Sequence, residues 1–131
     1  MALRELNNLT IVRKNGNIPD MPFLAIKEKI LGKKYSLSII FCTPEESRTR
    51  NATYRDKDYP TNILSFPLDE ITGEIYIPLS IARLEAKKFE MSYNKFLVYL
   101  LIHGCLHLKG YDHSSTMDRL EDKYLKQFFC D

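Results

Sequence analysis

All three histidines of the chain stand within the eleven residues HGCLHLKGYDH, from His103 to His113. Histidines four apart on a helix leave the same face about one turn from each other, so His103 and His107 can converge on one ion. Gly110 then lets the backbone leave the helix through a left-handed turn, which brings His113 back toward the same point. Three neutral imidazoles with no fourth protein ligand leave a tetrahedral ion one open position, and open positions do chemistry. By ligand type the first choice is one zinc ion (Zn2+) per chain, although nickel, copper or iron suits the same nitrogens. Cys105, two residues from His103, points to another helix face and is expected in the core.

The spacing HxxxHxxGxxH is that of the metzincin proteases with one exception. The glutamate that would follow the first histidine, and take a proton from metal-bound water, is replaced by Gly104. A zinc-dependent peptide or amide hydrolase therefore lacks its general base, and the sequence places neither Glu74 nor Glu85 in that role. A second cluster, RNATYRDKDYPTNILSFP from Arg50 to Pro67, offers Arg50, Arg55 and Lys57 to phosphates and Tyr54 and Tyr59 to bases. Asp56 and Asp58 blunt its charge, and its plainest reading is a solvated helix end, a turn and a strand. Asp112 adjoins His113 and either accepts a ring N–H or only caps the turn.

The elements that must hold these residues follow from hydrophobic periodicity and turn chemistry. A strand is expected over Leu6 to Arg13, then a helix from Met21 to Leu31 with Asp20 as its cap. Tyr35 to Cys42 reads as a buried strand. Thr43, Pro44 and Glu46 are in the right order to cap a polar helix reaching about Tyr54. Strands over Ile63 to Leu68 and Glu74 to Ile77 flank a turn, and Pro78 ends the second. Helices follow over Leu79 to Phe89 and Ser92 to Leu108, and Ser115 with Asp118 is set to cap a last one reaching about Phe129. The order βαβαββααα predicts an α+β fold, a small mixed β-sheet of about four strands packed with about five helices.

Length and composition bound what surrounds the site. With 131 residues, 44% hydrophobic, and no repeat or linker, residues 1–131 form one domain large enough to fold without a structural metal. A formal charge of +2 excludes a polybasic coat that binds nucleic acid by net field alone. Cys42, Cys105 and Cys130 are odd in number and widely spaced, which favours reduced thiols over a disulfide framework. The longest apolar run, Phe96 to Ile102, is far short of the ~20 residues that span a bilayer. No secretory pattern follows Arg4 and Glu5, so a cytoplasmic protein without a membrane partner is expected.

HGCLHLKGYDH resembles the signature of the bacterial YbeY family of metal-dependent endoribonucleases. Asn51, Tyr54 with Arg55, Asp58, and Pro60 to Pro67 are similar to that family's asparagine, Tyr-Arg pair, aspartate and PT(D/N)VLSFP stretch. Gly73, Glu74 and Ile75 are similar to its GD(I/L) strand, and the likeness covers roughly Phe41 to Glu121. The resemblance implies a zincin-like histidine helix, with His103, His107 and His113 binding a metal, usually zinc, and Arg55 essential in the cleft. Tyr54, Lys57, Asp58 and Asp112 are further candidates beside the ligands or the substrate.

The implied activity is hydrolysis of phosphodiester bonds in single-stranded ribosomal RNA, in maturation of the 16S rRNA 3′ end and in ribosome quality control. The implied partners are the small ribosomal subunit and its assembly proteins, and a monomer is expected. Asn62 and Glu74 stand where many members carry aspartate, and the acidic stretch after the third histidine is shortened, with Met117 and Glu121 arriving early. The rival from another class is a ribosome-assembly factor that keeps its metal as a structural pin and tolerates loss of the open position.

Overall fold

A computed structural model describes residues 2–14, 16–55 and 61–129 of the chain. The apolar stretch near the N-terminus is a hairpin rather than one strand: β1 (Ala2–Leu6) turns at Asn7 and Asn8 into β2 (Leu9–Arg13). Both asparagines take positive φ, 49° and 65°, as a two-residue hairpin turn requires, and asparagine tolerates that region better than most residues. The expected strand from Leu6 thus straddled the turn, and the sheet has five strands where about four were expected.

Then come α1 (Phe23–Ile30), β3 (Ser36–Cys42), α2 (Pro44–Arg55), β4 (Leu64–Asp69), β5 (Thr72–Pro78), α3 (Leu79–Lys88), α4 (Tyr93–Lys109) and α5 (Ser115–Phe128). The strand order is β1-β2-β3-β5-β4. Strands β2, β3 and β5 run parallel, and the outer strands β1 and β4 are antiparallel to their neighbours. Helix α1 makes the crossover from β2 to β3, whereas β4 and β5 form a hairpin, so the sheet is mixed as expected.

Strand alternation divides the interior in two. Leu37, Ile39, Phe41, Ile75 and Ile77 enter the main core with residues of α1, α3, α4 and α5. Ile40, Cys42, Leu64 and Tyr76, joined by Val12 and Phe66, form a smaller cluster on the opposite face. Helix α2 lies on that second face, where the Arg50 guanidinium stands 4.2 Å from the Tyr76 ring centroid and Tyr54 packs on Phe66 at 5.2 Å.

The cap at Thr43 and the stop at Gly110 are as expected, Ser92 is a cap that the sequence reading did not name, the cap at Asp20 is absent and that at Ser115 is displaced. Thr43 Oγ1 accepts from the Glu46 N–H at 3.2 Å, Ser92 caps α4 by accepting from the Lys95 N–H at 3.2 Å, and Gly110 ends α4 at φ 114°. Helix α1 starts after Pro22 with no side-chain cap, so Asp20 does not serve. Helix α5 is capped by Ser114, which accepts from the Met117 N–H at 3.2 Å, one residue before the expected Ser115. Among the described residues, no helix is long and apolar enough to cross a membrane.

Candidate metal centre

Helix α4 is buried along most of its circumference by Phe96, Leu97, Val98, Leu100, Leu101, Ile102, Cys105 and Leu106. A narrow strip carrying Tyr99, His103 and His107, with Leu100 beside it, is left to face a cavity. At its end the Gly110 N–H donates to the His107 carbonyl at 3.0 Å and the Tyr111 N–H to the Leu106 carbonyl at 3.1 Å. This closure turns the chain back, so that His113 arrives beside the other two rings. Ring centroids lie 4.6 Å apart for His103 and His107, 4.7 Å for His107 and His113, and 5.2 Å for His103 and His113. One ligand atom from each ring falls within 4.8 Å of the others.

The far sides of two rings are anchored. His107 Nδ1 lies 3.0 Å from the Tyr111 carbonyl oxygen, which only accepts, so Nδ1 carries the proton and Nε2 keeps its lone pair. His103 Nδ1 meets the carboxylate of Glu121, a buried residue of α5. The two Nε2 atoms then face each other at 3.1 Å. Nitrogens bound to one tetrahedral ion at 2.0–2.1 Å stand about 3.3 Å apart, so this pair is spaced for chelation. Rings oriented by a carboxylate and a carbonyl are what a metal-binding histidine needs behind it.

Sequence reading missed Glu121 in this role. Its signal was available: Met117, Glu121 and Leu125 recur every four residues on α5 and are its buried positions, so a carboxylate interrupts an apolar stripe and must have a partner. Asp112, for which ring contact and turn capping were both open, is exposed, and the His103 and His107 rings are anchored by Glu121 and the Tyr111 carbonyl.

The cavity in front of the histidines has a volume of about 290 Å³. Thr61, Asn62, Ile63 and Ser65 wall it on the β4 side, and Phe89, Tyr99 and Leu100 on the α3 and α4 side. Ser47 of α2 holds the entry to β4 by donating to the Thr61 carbonyl at 3.0 Å and accepting from its N–H at 3.1 Å. Asn62 Nδ2 donates to Glu85 Oε1 at 2.7 Å. Glu74 takes the Tyr76 hydroxyl at 3.4 Å, and among the described residues neither Glu74 nor Glu85 lines the cavity.

Gly104 gives the missing protease glutamate a physical reason. A Cβ there would lie 2.9 Å from the Cδ1 atoms of both Ile63 and Ile75 and 3.1 Å from Ser65 Oγ. The position is where α4 presses on the sheet, and any side chain there requires the ends of Ile63 and Ile75 to move aside. Cys105 is fully buried in the main core, as expected, and burial pushes its thiol up to about 12. Cys42 and Cys105 are both free thiols, and Cys130 lies outside the described residues.

The second cluster is divided by β4. Ile63 and Ser65 face the histidines, while Leu64 and Phe66 face α2. Tyr54, offered to bases by the sequence, packs on Phe66 across β4 from the cavity. Arg55 is the last residue of α2. Its side chain lies outside the described residues, as do Lys57 and Asp58 with Asp56, Tyr59 and Pro60.

A family profile described as "Endoribonuclease YbeY" matches residues 19–128. The protein named Endoribonuclease YbeY of Onion yellows phytoplasma is 39% identical over 118 residues, 79% of this chain and 77% of that one. Its namesake from Thermotoga neapolitana is 38% identical over 93 residues, 70% of this chain, and the match covers 59% of the relative's length. A solution structure of a Thermotoga maritima protein superposes with a TM-score of 0.59 at 33% identity, covering 80% of this chain and 77% of that one.

Proposed function

The chain belongs to the endoribonuclease YbeY family, and on that premise we propose that it is a metal-dependent endoribonuclease specific for single strands. One observation carries the reading: three imidazoles converge within 4.8 Å, two of them oriented from behind, at the floor of an open cavity. The donor set fits one divalent transition metal, zinc first, held by His103, His107 and His113 with room for an exchangeable ligand. When bound, that ion supplies a Lewis acid and lowers the pKa of bound water toward ~7.

The chain's own residues do the rest. Glu121 and the Tyr111 carbonyl hold the His103 and His107 rings in register and keep their Nδ1 protons, so the Nε2 lone pairs stay aimed inward. Arg55, carried over from the family's Tyr-Arg pair, holds the scissile phosphate and offsets charge that grows on its oxygens. The hydroxyls of Thr61 and Ser65 and the amide of Asn62 give the cavity a polar wall for ribose and phosphate. The substrate is ribosomal RNA in maturation, with the small subunit and its assembly proteins as partners in the cytoplasm. A net charge of +2 supports substrate presented by a particle, whose protein contacts add to modest electrostatic attraction.

The test is a linked measurement of metal content and cutting of labelled single-stranded ribosomal RNA by the wild type and His107→Ala, with circular dichroism as the folding control. Metal near one equivalent and cutting that vanish together in a folded variant establish the activity. Metal without cutting in the wild type moves the reading to an assembly factor with a structural metal. Arg55→Ala is expected to abolish cutting with metal content unchanged, and loss of both would make Arg55 structural.

A further inference from the structure

Phe89 is 52% exposed and yet forms part of the wall of the histidine cavity. It follows the last residue of α3, and the turn after it is closed twice. The Glu90 N–H donates to the Lys87 carbonyl at 3.2 Å, and the Met91 N–H to the Ala86 carbonyl at 2.9 Å. Glu90 takes φ 56°, a left-handed conformation that glycine more often supplies at a helix end. Ser92 then caps α4 at once. The ring therefore rides on a short turn pinned to two helices.

One side of the Phe89 ring is taken up by Phe96, stacked at 5.2 Å with 26° between the planes. The series continues through Tyr99, 6.0 Å from Phe96 at 25°, to His103, 6.0 Å from Tyr99. A single exposed ring is ordinary surface. This one is rigidly held, continues an aromatic stack that reaches a candidate metal ligand, and faces hydrogen-bonding groups across a cavity. Asn62 is among those groups, and its bond to Glu85 uses one amide proton, leaving its carbonyl and second N–H for a ligand.

Resting on the ribonuclease reading, we propose that Phe89 is the stacking platform for one unpaired nucleobase beside the scissile phosphate, with the Asn62 amide bonding the edge of that base. Bases inside a duplex are covered on both faces by their neighbours, so only an unpaired base can be offered to the ring. Preference for single strands then has a structural origin in this residue.

The chain contains no tryptophan, so Phe89→Trp places a sole indole at the platform. Its emission is expected to be quenched saturably by a single-stranded oligoribonucleotide and not by the same strand annealed to its complement. Phe89→Leu, which keeps apolar bulk without a π face, is expected to raise KM for single strands roughly tenfold, within the range of one lost base stack. The turnover number, metal content and melting temperature should stay at wild-type values. Absent quenching, equal quenching by the duplex, or an unmoved KM in Phe89→Leu overturns the platform, even where the wild type cuts RNA and the ribonuclease reading stands. Saturable single-strand quenching in a protein that cuts nothing keeps the platform and removes the ribonuclease reading.

Discussion

On one face of the sheet, five strand residues from Leu37 to Ile77 pack beneath α1, α3, α4 and α5, and the histidine cavity opens at the edge of that core. On the other face, Ile40, Cys42, Leu64 and Tyr76 meet α2, on which only Ser47 and Asn51 are buried among the residues whose side chains are described. The first face fixes its helix by close packing on most sides, so ligands set four apart on α4 cannot drift relative to one another. The second holds a polar helix by a guanidinium on a ring and by one serine bonded to Thr61. Metal geometry needs the first kind of support. Strand β4 lies between the two, with alternate residues given to each.

The most severe way to break this contrast is Gly104→Glu, which restores the protease pattern and drives a carboxylate into the contact between α4 and the sheet. With the ends of Ile63 and Ile75 2.9 Å from a Cβ at that position, overpacking should cost about 1–3 kcal/mol, a large share of a typical domain's stability. Thermal melting should show a markedly lowered melting temperature. A variant with the wild-type melting temperature and peptidase activity would refute the packing account and revive the protease reading.

Next in size is a matched pair, one substitution on each face. Glu121→Ala removes the carboxylate behind His103 and should weaken metal binding by ten- to a hundred-fold in a chelator competition, with the helices intact. Arg50→Ala loses the contact with Tyr76 and a 3.5 Å ion pair with Glu46, and should lower stability by about 1 kcal/mol with metal affinity unchanged. Comparable metal losses in both would mean that the two faces are coupled through β4 and that the division drawn here is too sharp.

The difference in support also explains what could be read in advance. The histidine pair, the Gly110 exit and the cap at Thr43 depend on residues within one or two turns of each other, so local spacing determines them. Glu121 depends on α5 folding back onto α4, a contact eighteen residues away in the chain from His103. The first hairpin was hidden because Ala2 to Leu6 reads as a charged, weakly apolar segment and becomes a strand by pairing with β2. Ser114 displaced Ser115 because Ser114, Ser115 and Thr116 offer three hydroxyls in succession, and the backbone selects one. Asp112 was drawn to the site by its neighbour in sequence, but the turn after Gly110 leaves it in solvent.

The smallest expected effect is the sharpest probe of where RNA runs. Tyr54 and Phe89 are both exposed aromatic residues, 62% and 52%, yet Tyr54 sits on the α2 face against Phe66 while Phe89 walls the cavity. Composition treats the two rings alike, since either can stack on a base. Position does not, because a strand cut at the histidines, as proposed, would enter the cavity that Phe89 walls and Tyr54 does not. Tyr54→Leu should therefore change KM for a short single strand by less than about twofold, against roughly tenfold for Phe89→Leu. Lengthening the oligonucleotide sharpens the comparison: a KM effect of Tyr54→Leu that appears only with longer strands places the path across the β4 edge onto α2. Equal effects of the two substitutions on the shortest strand cut would show that the bound nucleotide touches both faces, and the separation by β4 would fail as an account of binding.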